Sequence, residues 1–266
     1  MKQRYAIALE YDGKGFRGWQ KQEGVPTIQA ALEQALSKVA YTPILAFCAG
    51  RTDAGVHATH QIVHFDTPID LIREPKAWIM GTNQYLPKGI RVLGVTKMPS
   101  HFDARRSAVA RQYVYKILNH RIRPSLYRDY LTWVCRPLNE AIMHEAAQAL
   151  VGTHDFTSFR ASECQAISPV RTLNFIRVER QQEQVIISLE ANAFLHHMVR
   201  NIAGVLINLG TGKANIPAER AYQWVADILA AKDRRAACAT EKPNGLYLTK
   251  VCYPAEFEAY LISKDS

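Results

Sequence analysis

The residues of this chain best suited to chemistry lie in one short loop behind an apolar run. Positions 44–49 read ILAFCA, and positions 50–58 continue as GRTDAGVHA. A carboxylate between two glycines just past a strand is a common way to present a catalytic group, because glycine lets the backbone turn and a substrate approach. Arg51 carries the charge to grip a phosphate while Asp53 does the chemistry. In the alternative interpretation, Asp53 caps its own backbone in an Asx-turn and Arg51 is solvated, and the local pattern leaves both open.

Three histidines after this loop raise the question of a metal site. They are His57, His60 and His64, and Asp66 follows them. His60 and His64 would share a strand face, but no HExxH helix and no carboxylate at ligand spacing accompany them. We therefore expect no metal site. The chain also lacks the GxxxxGK[ST] loop of nucleotide-hydrolysing enzymes and the GxSxG nucleophile elbow.

The charge of the chain points to an anionic partner. Its formal net charge is +9, and segment 101–136 alone carries eight basic residues against two acidic ones, a net +6. Tyrosines and a tryptophan lie among these basic residues, a mixture that suits a polyanion with stackable bases, meaning nucleic acid. A solvated basic face is the alternative. The basic residues of the segment are Arg105, Arg106, Arg111, Lys116, Arg121, Arg123, Arg128 and Arg136.

Length and composition describe an ordinary globular protein. The chain has 266 residues, 48% of them hydrophobic and 21% charged, which suffices to bury a core without disulfides. The longest apolar stretch, Ile202–Leu209, is too short to span a bilayer. Five cysteines without a CxxC pair favour reduced thiols in the cytosol. Because Met1–Arg4 runs straight into a strand-like segment without a visible signal peptide, we expect a cytoplasmic protein with no membrane partner.

The apolar periodicity predicts strands and helices in alternation. Period-2 patterns predict strands, and apolar residues at 3.6-residue spacing predict helices, the first of them capped by Thr27. The mixture, with a hairpin around the polar turn Arg180–Glu183, indicates an α+β fold with largely antiparallel sheet in two similar halves. The predicted strands are Arg4–Glu10, Ile44–Ala49, Gln61–Asp66, Arg91–Lys97, Val109–Leu118, Thr172–Glu179, Gln184–Ala191 and Leu246–Cys252. One predicted helix begins directly after Thr27. The other predicted helices cover Lys76–Gln84, Glu140–Val151, Leu195–Leu209 and Ala218–Ala231.

The loop and further motifs resemble one known family, in residue and in order. Residues 50–58 resemble the signature of the TruA family of pseudouridine synthases, tRNA pseudouridine synthase I. Six further motifs stand in the family's order. The first is an N-terminal motif made of YDG at 11–13 with GWQ at 18–20, and the others are FDAR at 102–105, ARQYVY at 110–115, DFTSFR at 155–160, NAFLHHMVRN at 192–201 and GLYL at 245–248. The resemblance runs from about Tyr5 to Pro254, and six ordered motifs leave little room for chance.

The resemblance implies a fold, a reaction and a partner. The fold is α+β, with two ferredoxin-like halves whose mainly antiparallel sheets join into a central sheet around a basic cleft. The reaction is the isomerisation of uridine to pseudouridine at positions 38, 39 and 40, in the anticodon stem-loop of tRNA. Because an isomerisation requires no redox partner, ATP or metal, no cofactor is expected. The family also implies a homodimer in which each tRNA touches both subunits.

The resemblance assigns roles to five residues. Asp53 is the family's catalytic carboxylate, and Arg200 is the arginine that keeps that carboxylate ionised. Tyr113 stacks on the flipped base, and its hydroxyl is a candidate acceptor of the C5 proton. Leu246 closes the other side of the base, and Arg51 assists flipping. Whether Asp53 attacks C1′, attacks the base or acts as a base toward a glycal stays open.

The resemblance also locates the family's two halves and its two tRNA-contacting segments on this chain. The family's halves correspond here to 1–105, with the catalytic loop, and to 106–266, with the stacking tyrosine, the MVRN helix and the GLYL strand. Arg106 stands where the family usually has an aromatic residue, so the tRNA contact at that position differs from the family's pattern. The expected RNA-binding residues are Phe102, Asp103, Ala104, Arg105 and Arg106 in one segment, and Glu163, Cys164, Gln165, Ala166 and Ile167 in the other.

Two other classes of protein fit parts of the pattern. A non-catalytic RNA-binding module would keep the basic surface, but it has no need of an isolated carboxylate facing phosphate. A metal-dependent RNA-cleaving enzyme would use Asp53 with His57, His60 and His64. It would break RNA strands in a chelator-sensitive reaction, whereas isomerisation leaves the mass and length of the RNA unchanged.

Overall fold

The chain folds into two compact units, and it passes between them twice. The structure is a computed structural model that describes residues 2–71 and 73–262. The first unit contains the chain up to Arg111 and the C-terminal segment from Leu248, and the second contains Gln112–Tyr247. The two crossings fall inside strands, one at 110–119 and one at 246–252.

The first unit has the βαββαβ order of a ferredoxin-like fold. Its sheet runs β4-β1-β3, with β2 also paired to β3 and the end of β10 next to β3. Strands β1 and β4, β1 and β3, and β2 and β3 pair antiparallel, with Ile7 opposite Val63 and Val95. The elements are β1 (Lys2–Tyr11), α1 (Ile28–Ala40), β2 (Ala46–Cys48), β3 (His57–Pro68), α2 (Pro75–Tyr85), β4 (Ile90–Met98), the second part of β10 (Leu246–Cys252) and α6 (Ala255–Ile262).

The second unit contains the same βαββαβ order in β5, α3, β8, β9, α4 and β10, with strands β6 and β7 and helix α5 added to it. Its sheet runs β5-β9-β8-β7; the β7–β8 and β8–β9 pairs are antiparallel, and β6 pairs parallel with the end of β5. The elements are β5 (Ala110–Asn119), β6 (Thr132–Val134), α3 (Glu140–Ala147), β7 (Gly152–Asp155), β8 (Val170–Gln181), β9 (Gln184–Ala191), α4 (Met198–Gly210), α5 (Ala221–Ala230) and the start of β10. The predicted α+β class with mainly antiparallel sheet is confirmed.

Local sequence signals explain most of the element boundaries. Thr27 caps α1, its Oγ1 accepting a hydrogen bond from Ala30 N at 3.4 Å, and Asn139 caps α3 in the same way. The apolar stripe predicted for α4 is buried throughout, which is why this helix packs as a core element. Among the helices of the described residues, none combines the length and apolar character that crossing a bilayer requires.

Three predicted helices were too long, and one predicted strand was. The helix expected from Leu195 begins at Met198, because His197 takes a left-handed φ of 63° that an α-helix cannot contain. The helix expected over Glu140–Val151 ends at Ala147 and tightens into a 3₁₀ turn, and the one expected from Ala218 begins with such a turn. The strand expected over Ile44–Ala49 is reduced to Ala46–Cys48, the residues in register with β3, although Ala49 N still donates to the Ile62 carbonyl at 2.8 Å.

Candidate active site

Asp53 lies in a tight turn between β2 and β3. The N–H of Val56 donates to the carbonyl oxygen of Asp53 at 3.1 Å, and Gly55 takes a φ of 77°, which closes the turn. Asp53 is partly exposed, Arg51 is exposed, and Thr52 between them is buried. The turn thus holds the main chain of Asp53 in place, and the residue stays partly exposed.

The YDG and GWQ segments of the sequence pack against this turn and hydrogen-bond to it. The Tyr11 hydroxyl and Thr52 Oγ1 share a hydrogen bond of 2.8 Å, and Trp19 N donates to the carbonyl of Thr52 at 3.0 Å. Gly13 lies so close to the turn that a Cβ on it would stand 2.1 Å from the carbonyl oxygen of Val56. Gly13 therefore allows two stretches of backbone to touch, a contact that no other residue permits.

Gly13→Ala should lower kcat by about 10²-fold with little change in tRNA affinity. The added methyl has to displace the backbone at Val56, and a misplacement of about 1 Å in a catalytic group costs roughly that factor. The matched control is Gly94→Ala in β4, because a Cβ there meets nothing within 4 Å. Single-turnover kinetics on both folded variants measure the effect. Equal rates for the two would show that the turn tolerates the displacement.

Helix α1 fixes β2, the strand that leads into the turn. The Ala46 N–H donates to Glu33 Oε1 at 3.1 Å, and Gln29 Nε2 donates to the Ala46 carbonyl at 3.2 Å. Lys21 Nζ lies 3.1 Å from Glu33 Oε2, which pairs the charge of this buried carboxylate. Side chains of α1 thus take the place of a neighbouring strand for Ala46.

The segment 102–106 combines buried anchors with exposed cations. Phe102 and Ala104 are fully buried, whereas Arg105 and Arg106 are exposed. Asp103 Oδ1 accepts hydrogen bonds of 2.9 Å from the N–H groups of both arginines. Although burial acts to raise the pKa of Asp103, these two N–H groups hold it below its usual value. Within this segment, only Arg105 and Arg106 present basic side chains to a ligand.

Two of the three histidines after the turn are tied to the backbone. The N–H of Gly13 donates to His57 Nδ1 at 3.1 Å, and the N–H of Ala104 donates to His64 Nδ1 at 3.0 Å. Burial lowers the pKa of His60 and of His64 and so favours the neutral form of both rings. His57 and His64 therefore join segments of the first unit through these hydrogen bonds.

In the second unit, two tyrosines on the same face of β5 have different surroundings. Tyr113 is 7% exposed, and its ring meets Phe194 edge-on with centroids 4.9 Å apart. Tyr115 is fully buried; its hydroxyl is 2.6 Å from Thr132 Oγ1 and donates to the Lys242 carbonyl at 2.8 Å. Burial raises the pKa of Tyr115 far above its usual value. Tyr115 is a packing residue, whereas Tyr113 lies at the margin of the core.

Arg200 and Leu246 belong to two segments that pack together in the second unit. Arg200 lies in the first turn of α4 and donates from Nε to the Glu241 carbonyl at 2.7 Å, and Glu241 N donates back to the Arg200 carbonyl at 3.3 Å. The chain then reaches Leu246, which is 5% exposed. A Cβ on Gly245 would stand 2.6 Å from the Lys116 carbonyl oxygen, so the residue before Leu246 touches β5 directly.

The segment 163–167 is a surface loop of the second unit. Glu163, Gln165 and Ile167 are exposed, and Ile167 extends fully into solvent. Arg160 Nη2 donates to the carbonyl of Cys164 at 3.1 Å, which steadies the base of the loop. The loop therefore presents both polar and apolar side chains.

Comparisons with known proteins show the family to which the chain belongs. A family model described as tRNA pseudouridine synthase matches residues 146–254. The tRNA pseudouridine synthase A of Pseudomonas aeruginosa is 54% identical over 96% of this chain and 87% of that protein. The chain belongs to the tRNA pseudouridine synthase A family. The enzymes of that name from Methylococcus capsulatus and Shewanella denitrificans are 51% and 50% identical over 96% of this chain, covering 91% and 94% of their own lengths.

As a member of the tRNA pseudouridine synthase A family, the chain is an isomerase that converts uridine to pseudouridine in tRNA. The reaction breaks the N1–C1′ glycosidic bond and rejoins the same uracil to the ribose through C5. No atom is added to the RNA or lost from it, so its mass does not change. An enzyme of this family needs a carboxylate and a pocket for an extruded base, because the glycosidic bond is inaccessible inside a stack.

Asn201 is a residue of the family motif whose part the sequence did not reveal. Its side chain is fully buried, and Nδ2 donates to the Phe159 carbonyl at 2.7 Å. Oδ1 accepts from Arg234 Nη2 at 3.0 Å and from Thr240 Oγ1 at 2.6 Å. Asn201 thus joins three segments behind the first turn of α4, the turn that carries Arg200. Its place beside Arg200 in the MVRN motif was the one signal for it.

Arg111 is one basic residue of segment 101–136 that neither reaches a polyanion nor belongs to a solvated face. This side chain is 8% exposed and donates to the carbonyl oxygens of Ala49 at 2.8 Å and Arg105 at 2.6 Å. A guanidinium buried against carbonyl groups is held in place and does not reach a phosphate. Arg111 instead ties the strand that precedes the turn 53–56 to the segment with the exposed arginines.

Proposed function

We propose that this enzyme modifies uridines 38, 39 and 40 in the anticodon stem-loop of tRNA, with Asp53 as its catalytic carboxylate. The observation that carries the proposal is the turn 53–56, which is fixed from three sides yet leaves Asp53 partly exposed. A catalytic group must be held still and still reach its substrate. The GRTDAGVHA signature, which the family uses for its carboxylate, supplies this turn.

In this proposal the second unit supplies the groups that act on the base. Tyr113 stacks on the extruded uracil. Once the new bond has formed, its hydroxyl oxygen accepts the C5 proton while the hydroxyl's own proton passes to water. Leu246 offers an apolar side chain to the other face of the base. Arg200, by the resemblance, is the cation that keeps the catalytic carboxylate ionised. Arg51 assists the extrusion of the nucleotide.

Recognition of the tRNA rests on exposed residues of two segments. Arg105 and Arg106 offer guanidinium groups to phosphates, while Phe102, Asp103 and Ala104 shape the segment that carries them. The loop 163–167 offers exposed side chains of mixed character, which suits contacts to RNA shape more than to sequence. We extend the proposal to a homodimer that acts in the cytoplasm. In each subunit, residues 1–105 carry the catalytic turn and residues 106–266 carry the base-stacking groups.

Arg105→Ala and Arg106→Ala should each weaken tRNA binding and flatten its salt dependence. A lost phosphate contact lowers the slope of log affinity against log salt by about one unit, because fewer counterions are released. Titrations at several salt concentrations measure the slope, with the exposed Arg220 changed to alanine as the matched control. The single-turnover rate at saturating tRNA should not change. A slope unchanged in both variants would mean that these arginines only face solvent.

The proposed function is tested on unmodified tRNA in the presence of EDTA. We expect pseudouridine at positions 38, 39 and 40, at an unchanged RNA length, and the chelator should have no effect. Pseudouridine at other positions instead would overturn the proposed site. Chelator-sensitive strand cleavage would favour the nuclease interpretation, and binding without any modified product would favour a non-catalytic module.

A further inference from the structure

A groove of the first unit lies beside the turn 53–56 and is lined by residues that lead into that turn and by residues of the segment 102–106. Its volume is about 690 Å³, within the range of ligand-binding clefts. Arg51 lines it from the turn, and Arg105 and Arg106 line it from the segment 102–106. Lys2 and Phe47 also line the groove.

Phe47 presents an aromatic ring to this groove from β2. It is 52% exposed, and its ring stacks on His64 with centroids 5.1 Å apart and planes 20° from parallel. Phe47 and His64 are direct partners in the β2–β3 register. The His64 ring is fixed by the hydrogen bond from Ala104 N, and burial lowers its pKa, which favours the neutral ring. Phe47 is thus an exposed ring with a rigid, neutral support.

The charges around Phe47 favour an anion. Five basic side chains line the groove against two acidic ones, Asp66 and Asp103. Asp66 accepts two hydrogen bonds from Arg4, at 2.7 and 2.8 Å, and Asp103 binds the N–H groups of Arg105 and Arg106. Both carboxylates are therefore engaged within the protein. The cations of Lys2, Arg51, Arg105 and Arg106 set the sign of the groove.

We propose that this groove binds a second nucleotide of the tRNA, other than the target uridine, with its base stacked on Phe47. Its flanking phosphates lie against Arg105 and Arg106. An aromatic face next to several cations matches a nucleotide in an unstacked strand, base to ring and phosphate to guanidinium. The proposal rests on the proposed function, because extrusion of a uridine next to Arg51 leaves its neighbours without their stacking partner. Stacking on Phe47 then replaces the stacking contact that a neighbouring base has lost.

The first test compares tRNA affinity in Phe47→Leu, Phe47→Trp and Tyr85→Leu. Phe47→Leu should weaken binding about 5- to 150-fold, the range for a lost base–aromatic stack, while Phe47→Trp should bind as tightly as the wild type. Tyr85 is an exposed aromatic residue of α2 outside the groove, so Tyr85→Leu should leave affinity unchanged. Wild-type affinity in Phe47→Leu would overturn the proposal. So would a Phe47→Leu protein whose defect is a changed oligomeric state, because Phe47 would then contact protein.

The second test locates the base by removing it. Anticodon stem-loops are prepared with one abasic site at each position flanking the target, and affinity is measured for wild type and Phe47→Leu. At one position the abasic RNA should bind both proteins equally, because the stacking partner of Phe47 is gone. A Phe47→Leu defect that persists at every position would contradict the proposal. Failure of the wild type to form pseudouridine at 38–40 would instead overturn the proposed function, which the affinity series does not measure.

Discussion

Asp53→Asn is expected to abolish pseudouridine formation while leaving the fold and tRNA binding intact. The amide has nearly the shape of the carboxylate, but it can act neither as a nucleophile nor as a base. Asp53 is partly exposed, and the turn is closed by its main-chain carbonyl, which the substitution retains. We expect turnover to fall at least about 10³-fold, measured as pseudouridine formed per enzyme under saturating tRNA.

The control for this variant is Asp70→Asn, the same chemical change at an exposed position of the first unit. It should turn over at the wild-type rate, which shows that loss of one negative charge is not itself harmful. Both proteins should unfold at the same denaturant concentration. If Asp53→Asn retains more than a few per cent of wild-type activity, the carboxylate of Asp53 is not the catalytic group.

Tyr113→Phe should separate binding from proton transfer. Phenylalanine keeps the ring, so the extruded uracil still stacks and tRNA affinity should stay near that of the wild type. It lacks the hydroxyl, and loss of a general base typically costs 10²–10⁴-fold. Single-turnover release of tritium from uridine C5 reports the proton transfer directly. We expect this release to slow by about that factor.

Tyr115→Phe is the informative control because its effect should be the reverse. Removing the Tyr115 hydroxyl leaves Thr132 Oγ1 and the Lys242 carbonyl without a buried partner. The free energy of unfolding should fall by about 1–3 kcal/mol, whereas tritium release stays at the wild-type rate. Wild-type tritium release by Tyr113→Phe would remove the acid–base role of its hydroxyl. Normal binding and reaction by Tyr113→Leu would remove the stacking role too.

Features set by neighbouring residues could be predicted from the sequence. The cap at Thr27, the stripe on α4 and the hairpin of β8 and β9 each follow from residues within about ten positions of one another. The position of Asp53 between glycines behind an apolar strand also belongs to this class. The family motifs, being contiguous, could likewise be recognised without a structure. Element ends were less accurate, as at His197, because a single backbone angle decides them.

Features that depend on distant parts of the chain were decided only by the tertiary structure. Arg111 and Arg106 have the same charge and lie five positions apart, yet Arg111 is buried on the Ala49 carbonyl, 62 positions away. Asn201 meets the Phe159 carbonyl across 42 positions, and the need for glycine at position 13 comes from its approach to Val56. Composition and periodicity describe a residue's type and its near neighbours. Which carbonyl a guanidinium meets depends on how the elements pack, and that packing determines which basic residues remain available to RNA.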